Sequence, residues 1–359
     1  MAAERNQSLD VLRCFAVLLV LGVHVPHYGA WENIGWAGVD LFFVLSGFLI
    51  SGLLFRDYQG HGAIDWKRFL IRRGFKIYPS YYMFLWITAI LLVSVDHREN
   101  MRTMLLGNAV FVGNYFQRTV TIGPFVHLWS IAVEEHFYVL LPVLLVFLSK
   151  RKTRDPFAAI PWLFVAIAGM CLALRVFTLR DDQFVYMSHL RMDSLFDGVT
   201  LGYVYHFRSK WFARLASPWT LVAAGTLCLP VLIAKPDSHM VRTVGLTSIG
   251  LGFALLLAWS LDRRPKSTVG KGTAKVLATI GFYSYSIYLW HVLLALIFVK
   301  LQASTFYFWL YIALSLVLGI LMSKVIEMPA LALRERLFPG SPPQIQAAPP
   351  EPHIAAMAL

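Results

Sequence analysis

The sequence predicts an all-α polytopic membrane protein: a bundle of about ten transmembrane helices with both termini cytoplasmic. Three observations carry that prediction. The 359 residues are 58% hydrophobic and only 14% charged, against about 25% charged in a soluble domain, and the mean hydropathy is +0.61. Apolar runs of about 20 residues recur along the chain, the length a helix needs to cross about 30 Å of hydrocarbon. Lysine and arginine gather in alternate connections, as the positive-inside rule requires. The net charge of +12 is then a topology signal, and a nucleic-acid partner is excluded on that ground.

The spans are expected at 8–28, 37–55, 75–95, 128–148, 158–178, 187–206, 217–234, 242–261, 278–299 and 306–326. With both ends inside, 22 of the 32 basic residues fall in inner segments and seven in outer ones; moving one span would invert every later connection. Segment 101–118 is too short and too rich in Gly and Asn to span, and reads as a re-entrant or interfacial piece. Residues 1–337 form the membrane domain. Residues 338–359, rich in Pro and Ala, read as a disordered cytoplasmic tail. The first run is too long for a signal-peptide core and contains Arg13, so it is expected to stay uncleaved. Cys14, Cys171 and Cys228 lie inside apolar runs without metal spacing, and read as reduced residues with no metal site.

Polar residues within these spans are the informative exceptions, because a charge in hydrocarbon marks function by default. In the first span Arg13 and His24 are eleven residues apart, which places them on one helix face and roughly 16 Å apart along the axis. Asp10 lies one turn below Arg13 and can pair with it. Arg68, Arg72, Arg73 and Lys76 precede the third span, where arginine forks suit the phosphates of a cytosolic donor. In the fourth span His127, Ser130, Glu134 and Tyr138 are spaced 3, 4 and 4, one polar stripe, with Glu135 about 100° round. Arg191, Asp193 and Asp197 mark the sixth span, where pairing of Arg191 with an acid on a neighbouring helix is the favoured reading. Ser284, Tyr288 and His291 form a stripe in the ninth, with Trp290 beside His291.

In order, LDVLRCFAVLLVLGVH, GVDLFFVLSGFLI, FLIRRGFKIYP, HLWSIAVEEHFY, RMDSLFDG, SYSIYLWH and IEMP run through nearly the whole chain. Together they resemble the acyltransferase-3 family of integral-membrane O-acyltransferases. The resemblance implies transfer of an acyl group, usually acetyl, from cytoplasmic acyl-CoA to a hydroxyl. The acceptor would be a saccharide of exopolysaccharide, O-antigen, lipo-oligosaccharide or peptidoglycan, or a glycosylated small molecule. It implies a multi-pass protein of the bacterial inner membrane, with acetyl-CoA as a donor substrate and no permanently bound cofactor. The family's Arg-x10-His pair falls on Arg13 and His24, and its arginine motif on Arg72 and Arg73. Lys76 stands where a further arginine is usual, His136 where glutamine is common, and Asp197 where an apolar residue is common. The fused extracytoplasmic hydrolase-like domain of some relatives is not expected here.

Moving an acyl group from thioester to ester needs a base for the attacking hydroxyl and donors for the oxyanion. His24 is expected to act as the base or to carry the acyl group, oriented by Glu134 or Glu135, with Arg13 and His127 completing the catalytic set. Arg68, Arg72, Arg73 and Lys76 would hold the donor. Asp10, Asp40, Ser130, Tyr138, His291 and Trp290 would bind substrate. The competing class is an exporter or flippase of saccharide or lipid that uses the same polar path without acyl transfer.

Overall fold

The computed structural model describes residues 6–25, 29–93, 100–116, 123–178, 185–215, 217–261, 268–301 and 304–339. The predicted tail, apart from Phe338 and Pro339, lies outside them. All regular structure among the described residues is helical.

Helix α1 (Gln7–His24) starts where the Asn6 side chain accepts from the Ser8 amide at 3.0 Å, a cap that satisfies one free N–H of the first turn. A short helix α2 (Ala30–Ile34) leads to α3 (Ala37–His61), which is apolar nearly all round and correspondingly buried. It stops at Gly62, whose left-handed backbone (φ 69°) returns its N–H to the Tyr58 carbonyl. Helix α4 (Trp66–Val93) begins nine residues before the predicted third span. Lysine and arginine are good helix formers, so the basic stretch that lipid would reject continues the same rod.

Helix α5 (Asn100–Ala109) is too short to span. Two tyrosines of α4 fasten it: Tyr81 donates to the Asn108 carbonyl at 2.8 Å and Tyr82 to the Ala109 carbonyl at 3.0 Å. There follow α6 (Leu128–Ser149), α7 (Ile160–Thr178), α8 (Met192–Phe207), α9 (Ser209–Leu215), α10 (Pro218–Ile233), α11 (Leu246–Ser260), α12 (Thr268–Phe282), α13 (Ser284–Phe298), α14 (Thr305–Met322) and α15 (Met328–Leu337).

Six helical segments are long and apolar enough to cross a membrane, or eight if two bent pairs each count as one span, among the described residues. The ten-span count is not reached. Helix α4 carries five basic residues in its first three turns, and α8 has 16 residues. The predicted ninth span is two helices, α12 and α13, meeting at 68° around Tyr283. The predicted tenth runs on through a π-turn at Ser323–Glu327 into α15. A π-turn inserts one extra residue into the helical repeat, and here Glu327 is buried and paired with Lys76 of α4.

Close helix contacts are made by glycine. At the crossing of α3 and α8, a Cβ on Gly47 would stand 1.9 Å from the Leu195 carbonyl oxygen, and one on Gly198 would stand 2.1 Å from that of Val44. Backbones meet here, as small residues permit between helices in membranes.

Candidate active site

A partly open cavity, about 840 Å³ with the solvent-open space at its mouth included, lies between α1, α3, α4, α6 and α13. Arg13 of α1, Ser46 of α3, Arg73 and Lys76 of α4, Ser130, Glu134 and Tyr138 of α6, and Ser284, Tyr285 and Tyr288 of α13 supply its polar wall; Phe42, Phe43, Ile77 and Ile131 are among the apolar residues. Three of the predicted stripes therefore share one lumen. Glu134 accepts from Ser46 Oγ at 2.8 Å and from Tyr138 Oη at 2.6 Å. The Arg73 guanidinium lies 5.5 Å over the Tyr138 ring, within cation–π range. Arg13 pairs with Asp10 at 3.6 Å, as the i−3 spacing predicts, and Lys76 pairs with Glu327. The wall carries three cationic side chains, Arg13, Arg73 and Lys76, and one carboxylate, Glu134, while Asp10 and Glu327, off the wall, balance Arg13 and Lys76. Cations on the wall with counter-charges off it can meet an anionic ligand.

Beyond Tyr288 the chemistry changes. His24, His291 and His127 form a cluster, with ring centroids 4.7 Å apart for His24 and His291 and 5.4 Å for His127 and His291. Each ring has one nitrogen on a backbone carbonyl: His24 Nδ1 to Val20 at 2.9 Å, His127 Nε2 to Leu289 at 3.0 Å, and His291 Nδ1 to Tyr288 at 2.5 Å. A carbonyl only accepts, so that nitrogen carries the hydrogen and the other presents a lone pair. His127 Nδ1 and His291 Nε2 are buried without a hydrogen-bond partner among the described residues. His24 is half-buried and is the member that reaches the surface. No three ligating side chains are placed to hold a metal ion, among the described residues.

Tyr288 touches both groups: it lines the cavity, and its ring centre lies 5.5 Å from that of His127 and 5.7 Å from that of His291. Its hydroxyl donates to the His127 carbonyl at 2.8 Å and lies 2.6 Å from Ser130 Oγ. His24 and His127 are not on the cavity wall.

The expected pairing of His24 with Glu134 or Glu135 is corrected. Glu134 is held by Ser46 and Tyr138, and Glu135 accepts from Tyr78 at 3.1 Å. His127 stands at the level of His24, and Glu134 follows it by seven residues, roughly 10 Å along the helix. The carboxylates lie too deep to orient the histidine, and His291 takes the place beside it. Asp40 and Trp290 are also removed from the expected binding surface. Asp40 is buried on Arg191 at 2.8 Å and Ser194 at 3.0 Å, so Arg191 does pair with an acid of a neighbouring helix. A second buried pair, Arg175 with Asp193 at 2.5 Å, ties α7 to α8, and both residues reach Thr247. Trp290 packs edge-on against Phe84 at 5.5 Å.

The basic cluster divides. Arg73 and Lys76 face the cavity. Arg72 donates to both carboxylate oxygens of Glu335, the shorter at 2.8 Å, and to the Phe338 carbonyl; Arg68 donates to that of Pro339. Helical spacing separates the two pairs of faces, but only the return of α15 shows what the outer pair meets. Ser46 and Tyr285, missed from sequence, sit in apolar helices; the isolated hydroxyl in LSGF was a signal for Ser46, whereas Tyr285 is one of four hydroxyl residues in SYSIY and nothing in the sequence singles it out.

A family model described as "Acyltransferase domain" matches residues 6–327. A Staphylococcus aureus (strain COL) protein named "Putative O-acetyltransferase" is 29% identical over 90% of this chain and 56% of its own length. "Putative peptidoglycan O-acetyltransferase YrhL" of Bacillus subtilis (strain 168) and "Peptidoglycan O-acetyltransferase OatA" of Listeria monocytogenes (serovar 1/2a) are each 30% identical over 79% of this chain and 48% of their own lengths. The chain thus spans about half the length of these curated relatives. No solved structure matches it.

Proposed function

This chain belongs to the acyltransferase-3 family, and on that premise we propose that it is a membrane O-acetyltransferase moving an acetyl group from cytoplasmic acetyl-CoA to a hydroxyl of a saccharide. The observation that carries the reading is that Tyr288 both lines a cavity bearing cationic side chains and packs against the histidine cluster. In this reading ten spans with both ends inside place the cavity on the cytoplasmic side and His24 towards the outer face of the inner membrane.

The donor's phosphates bind at the mouth, on Arg73 and Lys76, and its acyl arm runs up past Arg13. Binding at Arg72 and Arg68 as well requires displacing Glu335 and the carbonyls of Phe338 and Pro339. Tyr288 must swing for the thioester to meet His24. There the acceptor hydroxyl gives its proton to His24 Nε2 while its oxygen bonds to the acyl carbon. The tetrahedral intermediate then expels the thiolate, which recovers the proton. Tyr288 is the available donor for the developing oxyanion, and Arg13, a helix length below, serves the donor's arm.

The test is release of free thiol from acetyl-CoA by purified protein with a saccharide acceptor, together with mass spectrometry of the product. A protein that moves saccharide or lipid across vesicles with no thiol release is an exporter, and the reading fails.

A further inference from the structure

We propose that His291 is the positioning partner of His24, holding the proton that His24 takes from the acceptor. The two imidazoles form a His–His pair where a histidine–carboxylate pair was expected. This rests on the reading of His24 as the base.

The argument begins with the three carbonyls. Val20, Leu289 and Tyr288 take one N–H from each ring, which leaves three lone pairs and no donor to share among them. Two neutral rings placed this way cannot hydrogen-bond to each other. One added proton changes that, because it gives an N–H⁺ on one ring and an acceptor on the next, a charge-assisted bond. The ring centres are near enough for it. An imidazole nitrogen stands about 1.1 Å from its ring centre, so a bond with N···N of about 2.9 Å needs centres about 5 Å apart. The observed centres are 4.7 Å and 5.4 Å apart with the planes at 79° and 73°, so the protonated pair forms its bond by turning one ring, without moving a helix.

Burial supplies the direction. His291 and His127 are 0% and 1% exposed, and each keeps an unpartnered ring nitrogen, which buried polar groups in folded proteins rarely do. His24 is the accessible member, so a proton enters and leaves through it. It passes from the hydroxyl to His24 Nε2 and is shared with His291 Nε2 while the tetrahedral intermediate stands. It then returns through His24 to the departing sulfur, and no proton is gained or lost over the cycle. His127, one ring further in, adjoins His291 and extends the same acceptor array.

The experiment uses the full chain in lipid nanodiscs. His291→Gly should lower kcat by about 10²-fold and leave the KM for acetyl-CoA unchanged. Added imidazole should restore turnover, and pyrazole, a ring of the same size but a far weaker base, should not. Equal rescue by both rings means the residue only fills space and overturns the proposal, as does wild-type kcat in the variant. His291→Gln fills the site without holding a proton and covers the case in which the glycine variant does not fold. It should lose the same factor, and full activity in it is also fatal. His24→Ala is measured in parallel. If it stays active, the reading of His24 as base has failed; if it is dead while the His291 variants turn over normally, only the partnership has.

Discussion

Two groups of buried polar side chains lie inside this bundle, and they are built on opposite principles. Around α8, the guanidinium groups of Arg191 and Arg175 each meet a carboxylate, Asp40 at 2.8 Å and Asp193 at 2.5 Å. Around the end of α1, three histidines face each other, and among the described residues His127 Nδ1 and His291 Nε2 have no hydrogen-bond partner. Paired charge is how a charge-bearing helix such as α8 is carried inside a bundle; it holds helices in register and leaves little chemistry available. Unpaired neutral bases are less stabilising but free to react. The difference separates residues that hold the fold from those that serve the reaction, which residue type alone would not do, since both groups read as polar residues in apolar spans.

The largest test of that contrast is at His24. His24→Ala should abolish acetyl transfer, a loss of at least about 10³-fold, or roughly 4 kcal/mol in the transition state, with insertion and melting temperature unchanged. Measurable transfer at more than a tenth of the wild-type rate would remove the contrast. On the other side, Arg191→Met should cost about 3–5 kcal/mol of stability by leaving Asp40 buried and unpaired, seen as lost monodisperse protein on size-exclusion chromatography. The double variant Asp40→Leu/Arg191→Met should recover much of it, because replacing both partners removes the orphaned charge. If the single variant is as stable as wild type, the pair is not what holds α3 to α8.

Smaller effects sharpen the boundary between cavity and cluster. Tyr288→Phe keeps the ring but removes the hydroxyl that donates to the His127 carbonyl and meets Ser130. Net hydrogen-bond worth of about 1 kcal/mol each predicts a fall in kcat of about thirtyfold, with the KM for acetyl-CoA little changed. A change confined to KM would place Tyr288 on the donor instead. The smallest effect is at the mouth: Glu335→Ala should release Arg72 and lower the KM for acetyl-CoA by about threefold, in line with exposed ion pairs. Arg72→Ala should raise it. If Glu335→Ala raises KM too, α15 supports the donor site rather than competing for it.

Much of this was legible in single helices. The Arg13–Asp10 pair and the Ser130–Glu134–Tyr138 stripe follow from spacings of three and four residues. The basic run before the third span was evident, though its helical form was not, because propensity and lipid exclusion point in different directions there. The break at Tyr283 left no signal, since GFYSYSIYLWH is apolar and aromatic on both sides of it. Glu134 and Glu135 stand out by charge as partners for His24 but bond to Ser46, Tyr138 and Tyr78 in the structure, whereas His291, which stands beside His24, lies on another helix at a depth that only packing reveals.

What the sequence by itself determined is therefore what the 3.6-residue repeat and lipid set: where the apolar helices run, which side chains share a face, and which polar residues need a partner. What only the tertiary structure decided is which face meets which. It joined His24 to His291, Arg191 to Asp40, and Arg72 to Glu335. The physical reason lies in the contacts that bring helices together. They are glycine-mediated backbone approaches, such as Gly47 and Gly198 at the α3–α8 crossing and Gly281 against the Asp10 carbonyl, and a missing side chain leaves no pattern of polarity or charge to name its partner.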